Sequence, residues 1–337
     1  MQTVQLGQTG LRMNKNGFGA LPIQRVDKKE AVYLLQKAFY HGINYFDTAR
    51  FYSDSEEKLG AAFSLIRERV IISSKTAATT ADAFWKDLEV SLHNLQTDYI
   101  DLYQFHNPAF CPKPGDGTGV YEAMLQARDQ GKIRFIGITN HRLTVAQEAI
   151  ASGLYATLQF PFSYLAGEQE LALVRACEDC GMGFIAMKAL AGGLINNSTA
   201  AYAYLAQFPQ VEPIWGIQKE SELDEFLALQ DNPPTLSGKI QAHIDHDRQE
   251  LCGEFCRGCG YCMPCPEGIE INSCARMSLM LRRSPKALWL TEHWQQEMKK
   301  IEHCRQCGKC KSKCPYGLDT PALLKRNYED YWTFFEK

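Results

Sequence analysis

Short apolar runs return along the first 230 residues with helical patterns between them, and this alternation constrains the fold more than any other feature of the chain. The runs are "INYFDTA" (43–49), "VIISSK" (70–75), "YIDLYQFH" (99–106), "IRFIGITN" (133–140), "YATLQF" (155–160), "GFIAMK" (183–188) and "EPIWGI" (212–217). They are rich in β-branched and aromatic residues and apolar throughout, which suits strands of a parallel sheet covered on both faces. Between them, Ala31, Leu34, Leu35, Ala38 and Phe39 follow the spacing of a core-facing helix. Asp27 and Glu30 give it a capping-box start and Gly42 a stop. Ser53 and Glu56 repeat the start signal, and Phe84, Leu88, Leu92 and Leu95 form another stripe. With "NGFGALP" (16–22) as a first strand, eight strand–helix units predict an α/β fold, a (β/α)8 TIM barrel. The alternative, a doubly wound nucleotide fold, wants G-x-G-x-x-G after its first strand, and the chain offers only Gly17-x-Gly19.

Cysteine usage divides the chain. Ten of the 13 cysteines of this 337-residue sequence fall after residue 250. An odd count and tight clustering point to metal ligation in a reducing compartment, hence a cytoplasmic protein, rather than to disulfides. Pro233-Pro234 marks a linker between a barrel over 1–230 and a smaller, mainly helical domain over 231–337. The formal net charge of −3 gives no basic field for nucleic acid. The N-terminus lacks the apolar core of a signal peptide, and no stretch has the ~20 apolar residues of a membrane span.

The barrel's active end is where strands finish. Asp47, Lys75 and His106 each end a predicted strand, and Tyr52 lies in the loop after the strand that carries Asp47. A free tyrosine, with a pKa of about 10, is too weak an acid for efficient proton transfer near pH 7. A nearby ammonium can lower that value by about 1–3. A carboxylate would hold the lysine, and a histidine would hydrogen-bond a substrate oxygen. The four together suit protonation of an oxygen that is acquiring charge.

"DTARFYSDSEEKLG", "SSK", "YQFHN" and the opening "LGQTGLRMNKNGFGALP" resemble the signatures of the aldo-keto reductases over residues 3–230. The resemblance implies a catalytic tetrad of Asp47, Tyr52, Lys75 and His106, with Tyr52 as general acid. Retention of His106 implies NAD(P)H-dependent reduction of an aldehyde or ketone rather than of a C=C bond. It implies NADP(H), with NAD(H) left open, bound by Thr139, Asn140 and Gln159 at the carboxamide. Gly216, Gln218, Lys219, Glu222 and Glu225 would lie towards the adenosine end, with Gly19 and Ala20 also in the site. Met187 and Lys188 stand where the family stacks an aromatic on the nicotinamide, and Gln218 stands where it often has arginine. Arg25, Arg50, His141 and Lys188 suggest a polar or anionic carbonyl substrate, such as a sugar-like one, and Cys111 is a candidate pocket residue.

Two cysteine runs follow. "CRQCGKCKSKCP" has the bacterial ferredoxin spacing, and "CRGCGYCMPCP" departs from it by one residue. Zinc is the rival reading. Three close cysteines wrap one cluster while the fourth crosses to the other. The expected 4Fe–4S sets are therefore Cys256, Cys259, Cys262 with Cys314, and Cys304, Cys307, Cys310 with Cys265. Cys252 and Cys274 read as non-ligands, and Cys177 and Cys180 as core packing. The segment 266–303, with Trp289, Trp294, Met298 and Ile301, reads as helical and as packing the module on the barrel. The first run also resembles the ferredoxin-like C-terminal module of a subgroup of aldo-keto reductases, covering 235–337. Three roles stay open: a carbonyl reductase with structural or sensing clusters, an electron-transfer oxidoreductase working with a ferredoxin- or flavin-type redox partner, and a non-catalytic NADP-binding regulatory barrel.

Overall fold

The computed structural model describes residues 2–251 and 255–335. Cys252 lies outside the described residues. A hairpin of β1 (Thr3–Gln5) and β2 (Arg12–Asn14) precedes eight parallel strands that close a barrel in the order β10-β3-β4-β5-β6-β7-β8-β9. These strands are β3 (Gly17–Gly19), β4 (Tyr45–Asp47), β5 (Ile71–Thr76), β6 (Ile100–His106), β7 (Ile133–Thr139), β8 (Thr157–Pro161), β9 (Gly183–Met187) and β10 (Val211–Gly216). Helices α1 (Lys28–Tyr40), α2 (Ser55–Phe63), α3 (Ala81–Leu95), α4 (Val120–Asp129), α5 (Leu143–Ser152), α6 (Glu168–Cys180), α7 (Ser198–Leu205) and α8 (Glu220–Asp231) follow the strands in turn.

The barrel interior changes character along its axis. At one end the hairpin residues Leu6, Leu11 and Met13 pack with Tyr45, Leu102, Ile185 and Ile214. The main-chain N–H of Gln8 donates to Gly181 O just ahead of β9, so the hairpin closes the end where strands begin. Two residues on along β4 and β6 the interior turns polar, at Asp47 and Gln104. Tyr45 and Ser73 hydroxyls share a hydrogen bond of 2.9 Å, Ser73 donates to Asp47, and Gln104 Nε2 donates to Gln159 Oε1 at 2.8 Å. The period of 2 that puts Tyr45 and Asp47, or Gln104 and His106, on one face carries the chain from apolar plug to polar mouth.

Two local readings change. Helix α1 starts at Asp27, whose carboxylate accepts Glu30 N–H, as expected. Helix α2 instead begins beyond Asp54, and Glu56 is no capping residue. It is buried, accepts hydroxyls from Ser74 and Ser91 at 2.7 Å each, and pairs with Arg50. Arg50 is thereby a partner of Glu56 rather than a free cation for substrate. A charge at the first turn can serve a helix end or a core network, and here the two serines supply donors that a buried carboxylate needs.

By its contacts the chain forms two compact units, Met1–Ala189 with Ser198–Leu236, and Leu190–Asn197 with Ser237–Lys337. The second unit holds α9 (Gly238–Glu250), α10 (Ile271–Cys274), α11 (Met277–Arg283), α12 (Glu292–Lys299), α13 (Lys309–Lys313) and α14 (Thr320–Trp332). Its core gathers Ile269, Ile271, Met277, Leu281, Met298 and Tyr331, with Trp289 and Trp294 against it. The segment 266–303 is thus several short helices that build the core of their own unit. Cys274 is buried in that core. Arg283 ties three segments of the unit, donating to Asp247, Glu250 and Leu194 O at 2.6 Å each. No helix among the described residues is long and apolar enough to cross a membrane.

Helices α2 and α3 approach closely at Gly60, where an added Cβ would stand 2.2 Å from Asn94 O. In an open helix Gly→Ala gains about 1 kcal/mol. Here overpacking against backbone dominates, so Gly60→Ala is expected to cost a net ~1–3 kcal/mol. Urea denaturation measures the sign, and a stabilised variant would contradict the close approach.

Candidate active site and cysteine sites

Asp47 and Lys75 come from neighbouring strands, and the register of β4 on β5 sets Asp47 beside Ser73. Lys75 then reaches across one residue further along the same face. Its Nζ donates to Asp47 Oδ2 and to Thr48 O, both at 2.6 Å. Asp47 Oδ1 accepts from Ser73 at 2.6 Å, and Gln159 Nε2 approaches Oδ2 at 3.3 Å. Both charges are almost fully buried, at 2% and 1% exposure. Burial draws the lysine below its ordinary pKa and Asp47 opposes that shift. With two oxygens at 2.6 Å the ammonium is the form this pocket holds.

Tyr52 is carried by the tight loop between β4 and α2. Its N–H donates to Ala49 O and its carbonyl accepts from Ser55 N–H, while Arg50 N–H donates to Lys75 O. This brings Lys75 Nζ to 5.3 Å from the Tyr52 ring centre. The His106 ring lies 5.8 Å from that of Tyr52, edge to face. Burial, reinforced by the charge of Lys75, pushes His106 down to about 3, so it is neutral over the physiological range. The four residues expected from the sequence therefore meet at the strand-end mouth.

The expected cofactor residues are placed as follows. Gly19 lies where an added Cβ would stand 3.1 Å from Trp215 O, and Ala20 N–H donates to Asp47 O. Thr139 Oγ accepts Asn107 N–H, and Asn140 is engaged at both ends, accepting from Arg142 N–H and donating to Pro108 O. Gln159 faces Gln104 and Asp47. Met187 ends β9, and Lys188 follows it with φ of 55°. Gly216 is exposed at the end of β10. Glu222 folds back on Gln218 N–H and Lys219 N–H, capping α8, and Glu225 accepts from Ser198. Arg25 is exposed and His141 buried, while Cys111 is buried against Tyr155. Cys177 is buried on α6, beside Met182, and Cys180 is exposed.

Sequence reasoning missed Ser73 and Gln104, the groups that complete the hydrogen bonding of Asp47 and Gln159. Strand alternation could have found them, since Ser73 precedes Lys75 by two residues and Gln104 precedes His106 by two.

The cysteines of the second unit fall around two cavities. Cys256, Cys259, Cys262 and Cys314 line one of about 350 Å³, with Arg257 and Tyr316. Cys265, Cys304, Cys307 and Cys310 line the other, of about 680 Å³, which Cys262 also reaches. Among the described residues no three of these sulfurs converge on a single-ion position; they rim cavities instead. The fourth cysteine of each run lies at the other run's cavity. Burial pushes the Cys262 thiol up to about 12 and raises those of Cys256 and Cys310. Such sulfurs ionise against adjacent positive charge, which iron provides. The donor set fits a four-thiolate cluster at each cavity.

Comparison with known proteins agrees with both halves. The model of the aldo/keto reductase family matches residues 14–231, and that of the 4Fe-4S dicluster domain matches residues 255–319. L-galactose dehydrogenase of Arabidopsis thaliana is 30% identical over 211 residues, 57% of this chain and 66% of that protein. The aldo-keto reductase YhdN of Bacillus subtilis is 29% identical over 229 residues, 60% of this chain and 67% of that protein. The chain thus spans about two thirds of the length of these relatives. Among solved structures, the thermostable aldo-keto reductase Tm1743, in complex with the inhibitor epalrestat, has 26% identity and a TM-score of 0.62, covering 73% of this chain and 100% of that one. An aldo-keto reductase from Bacillus halodurans, with a TM-score of 0.64 at 21% identity over 73% of this chain and 96% of that one, shares the fold. The barrel match covers well over half of the sequence, and the chain belongs to the aldo/keto reductase family, an oxidoreductase barrel followed by a 4Fe-4S dicluster domain.

Proposed function

We propose that this oxidoreductase reduces a small aldehyde or ketone with NAD(P)H, using Tyr52 as the acid, and that its cysteines hold two 4Fe–4S clusters. The observation that carries the reading is the buried Lys75–Asp47 pair at 2.6 Å with its ammonium 5.3 Å from the Tyr52 ring. The nicotinamide, when bound, supplies a hydride to the carbonyl carbon. The chain's own part is to manage the oxygen. A neutral His106 donates one hydrogen bond to that oxygen, orienting it. Tyr52 gives its proton as negative charge develops there, and the fixed ammonium of Lys75 stabilises the phenolate left behind. Asp47 keeps Lys75 in place with Thr48 O, and Ser73 and Gln159 keep Asp47 in place.

Thr139, Asn140 and Gln159 stand where the carboxamide would be held. Lys219, exposed at the head of α8, offers a cation for a 2′-phosphate, which favours NADP(H). Gly19, Ala20, Met187, Lys188, Gly216, Gln218, Glu222 and Glu225 complete the proposed cofactor site. Its occupancy would compete with the bonds that Glu222 makes to Gln218 and Lys219. A redox partner protein is a second element of the reading, favoured by the exposure of Cys307 at the edge of the second cavity.

Tyr52→Phe is expected to lower kcat by about 10²–10⁴-fold while NADPH binding is retained. NADPH oxidation with a small aldehyde and cofactor titration measure the two separately; retained turnover would remove Tyr52 from the acid role.

His106 carries a stability effect whose sign follows from its shift. Its folded pKa of about 3 lies below the ordinary 6.5. The unfolded chain therefore binds the extra proton first, and the stabilising contribution is full above about pH 6.5 and lost as pH falls towards 3. His106→Gln is expected to flatten that acid limb in denaturation curves recorded between pH 4 and pH 7. Parallel limbs in the two proteins would place the histidine in a wetter site.

The crossed cysteine sets give a third test. Cys314→Ser and Cys265→Ser are each expected to lower iron content from about eight to about four per chain, leaving a different cluster in each. Electron paramagnetic resonance of the two reduced variants should show two distinct signals; the same residual signal in both would contradict the crossing.

A further inference from the structure

Among the described residues, Arg276 is a buried cation without a carboxylate partner. It is 7% exposed, and its Nε has no hydrogen-bond partner. Its Nη2 donates to Gly192 O at 2.7 Å and lies 3.0 Å from Met280 Sδ. Neither contact carries a charge. Among the described residues, the favourable charge it meets is that of Cys256. A guanidinium held this far from water needs a negative partner, because leaving it unpaired costs several kcal/mol.

The space around it is built. An added Cβ at Gly258 would stand 2.2 Å from Arg276 Nη1, and one at Gly192 would stand 3.1 Å away. Two glycines with positive φ thus make room for this one nitrogen. Gly258 belongs to the first cysteine run, and its N–H points at Cys256 Sγ from 3.4 Å. The guanidinium therefore sits one residue's width from the first sulfur of the set Cys256, Cys259, Cys262 and Cys314. Arg257 also lines that cavity, but it is only half-buried, with its guanidinium over the Phe255 and Tyr316 rings. The other cavity has exposed surroundings: Arg305, Cys307 and Lys309 all reach solvent, and Arg305 is paired with Glu267. Charges there are screened by water and salt.

We propose that Arg276 is the buried counter-charge of the first cluster and makes it the more easily reduced of the two. The inference rests on the proposed cluster sets. A four-thiolate cluster is net negative and gains one further negative charge when it accepts an electron. A fixed buried cation stabilises the reduced form more than the oxidised one, which raises the reduction potential. Among the described residues, the cations that line the other cavity, Arg305 and Lys309, are exposed rather than buried. The electron therefore rests on the first cluster, and the same guanidinium holds Gly192 in the 190–197 segment that leaves β9 after Met187 and Lys188.

The test is a redox titration of the anaerobic full-length protein, followed by electron paramagnetic resonance, with iron counted in each sample. In the parent, the signal of the first cluster, identified as the one absent from Cys314→Ser, is expected to develop at the higher potential. Arg276→Gln keeps a donor for Gly192 O but removes the charge. It is expected to lower the reduced-to-oxidised ratio of the first cluster by at least tenfold at fixed potential, about 59 mV, and to leave the second unchanged. Arg276→Lys should restore most of the difference, and Arg257→Gln should shift it less than Arg276→Gln does. Loss of the first cluster in Arg276→Gln with retention in Arg276→Lys would also support a charge role. An unmoved potential in Arg276→Gln, equal shifts in both clusters, a larger effect from Arg257→Gln, or loss of iron in both Arg276 variants would overturn it. A parent protein without iron would instead remove the cluster reading on which the proposal stands.

Discussion

Everything at the barrel mouth depends on burying a lysine and an aspartate together. An ammonium and a carboxylate taken from water cost several kcal/mol each, and their attraction offsets this only when the geometry is tight and the remaining hydrogen bonds are made. The barrel supplies both. Parallel register puts Asp47 next to Ser73, and the two-residue repeat of β5 then presents Lys75 one step further along. Thr48 O, Ser73 and Gln159 satisfy what the pair leaves over. The same arrangement fixes the charge that Tyr52 and His106 feel. His106 is held neutral by burial and by Lys75, so on the proposed reading it donates a hydrogen bond rather than a proton. On that reading one interaction sets the chemical roles of two neighbours.

The second unit meets a related constraint with different means. Between α9 and α14 its helices have eight residues or fewer, and its core is small. A small core of this kind gains from internal ties, and iron bound by residues far apart in sequence is such a tie. On the proposed sets, Cys314 at the cavity of the first run and Cys265 at that of the second would cross-link the two runs through their clusters. Arg283 adds a polar tie, linking α11 to α9 and to the 190–197 segment.

The barrel was legible because eight repeats of one pattern correct one another, and the meeting of Asp47, Tyr52, Lys75 and His106 at one mouth because each occupies a strand end or the loop beside it. The division of the cysteines between two cavities was legible in their spacing. What stayed hidden depended on partners far away in sequence. Glu56 looks like a helix-start residue until Ser74 and Ser91, 18 and 35 residues on, are seen to donate to it. Arg50 loses its expected freedom for the same reason. Residues 190–197 fall within the span 1–230 assigned to the barrel, since Arg276 and Arg283, which bind the carbonyls of Gly192 and Leu194, lie more than 80 residues later. The tryptophans at 289 and 294 show that something apolar is covered, but not which core covers them.

On the proposed reading the two halves of the chain handle electrons in different units. A nicotinamide delivers a hydride, two electrons with a proton's mass, and a 4Fe–4S cluster accepts one electron. The Tyr52 site, on the proposed reading, needs no iron to complete its reaction. The clusters therefore require a reason of their own, and their surroundings suggest one. Two equivalent clusters would make a store for a pair of electrons. Two unequal ones make a direction, with electrons entering where a cysteine is exposed and settling where a cation is buried. On the proposed cluster sets the surroundings favour the unequal case: Cys307 is at the surface on one side, and Arg276 is enclosed between two glycines on the other.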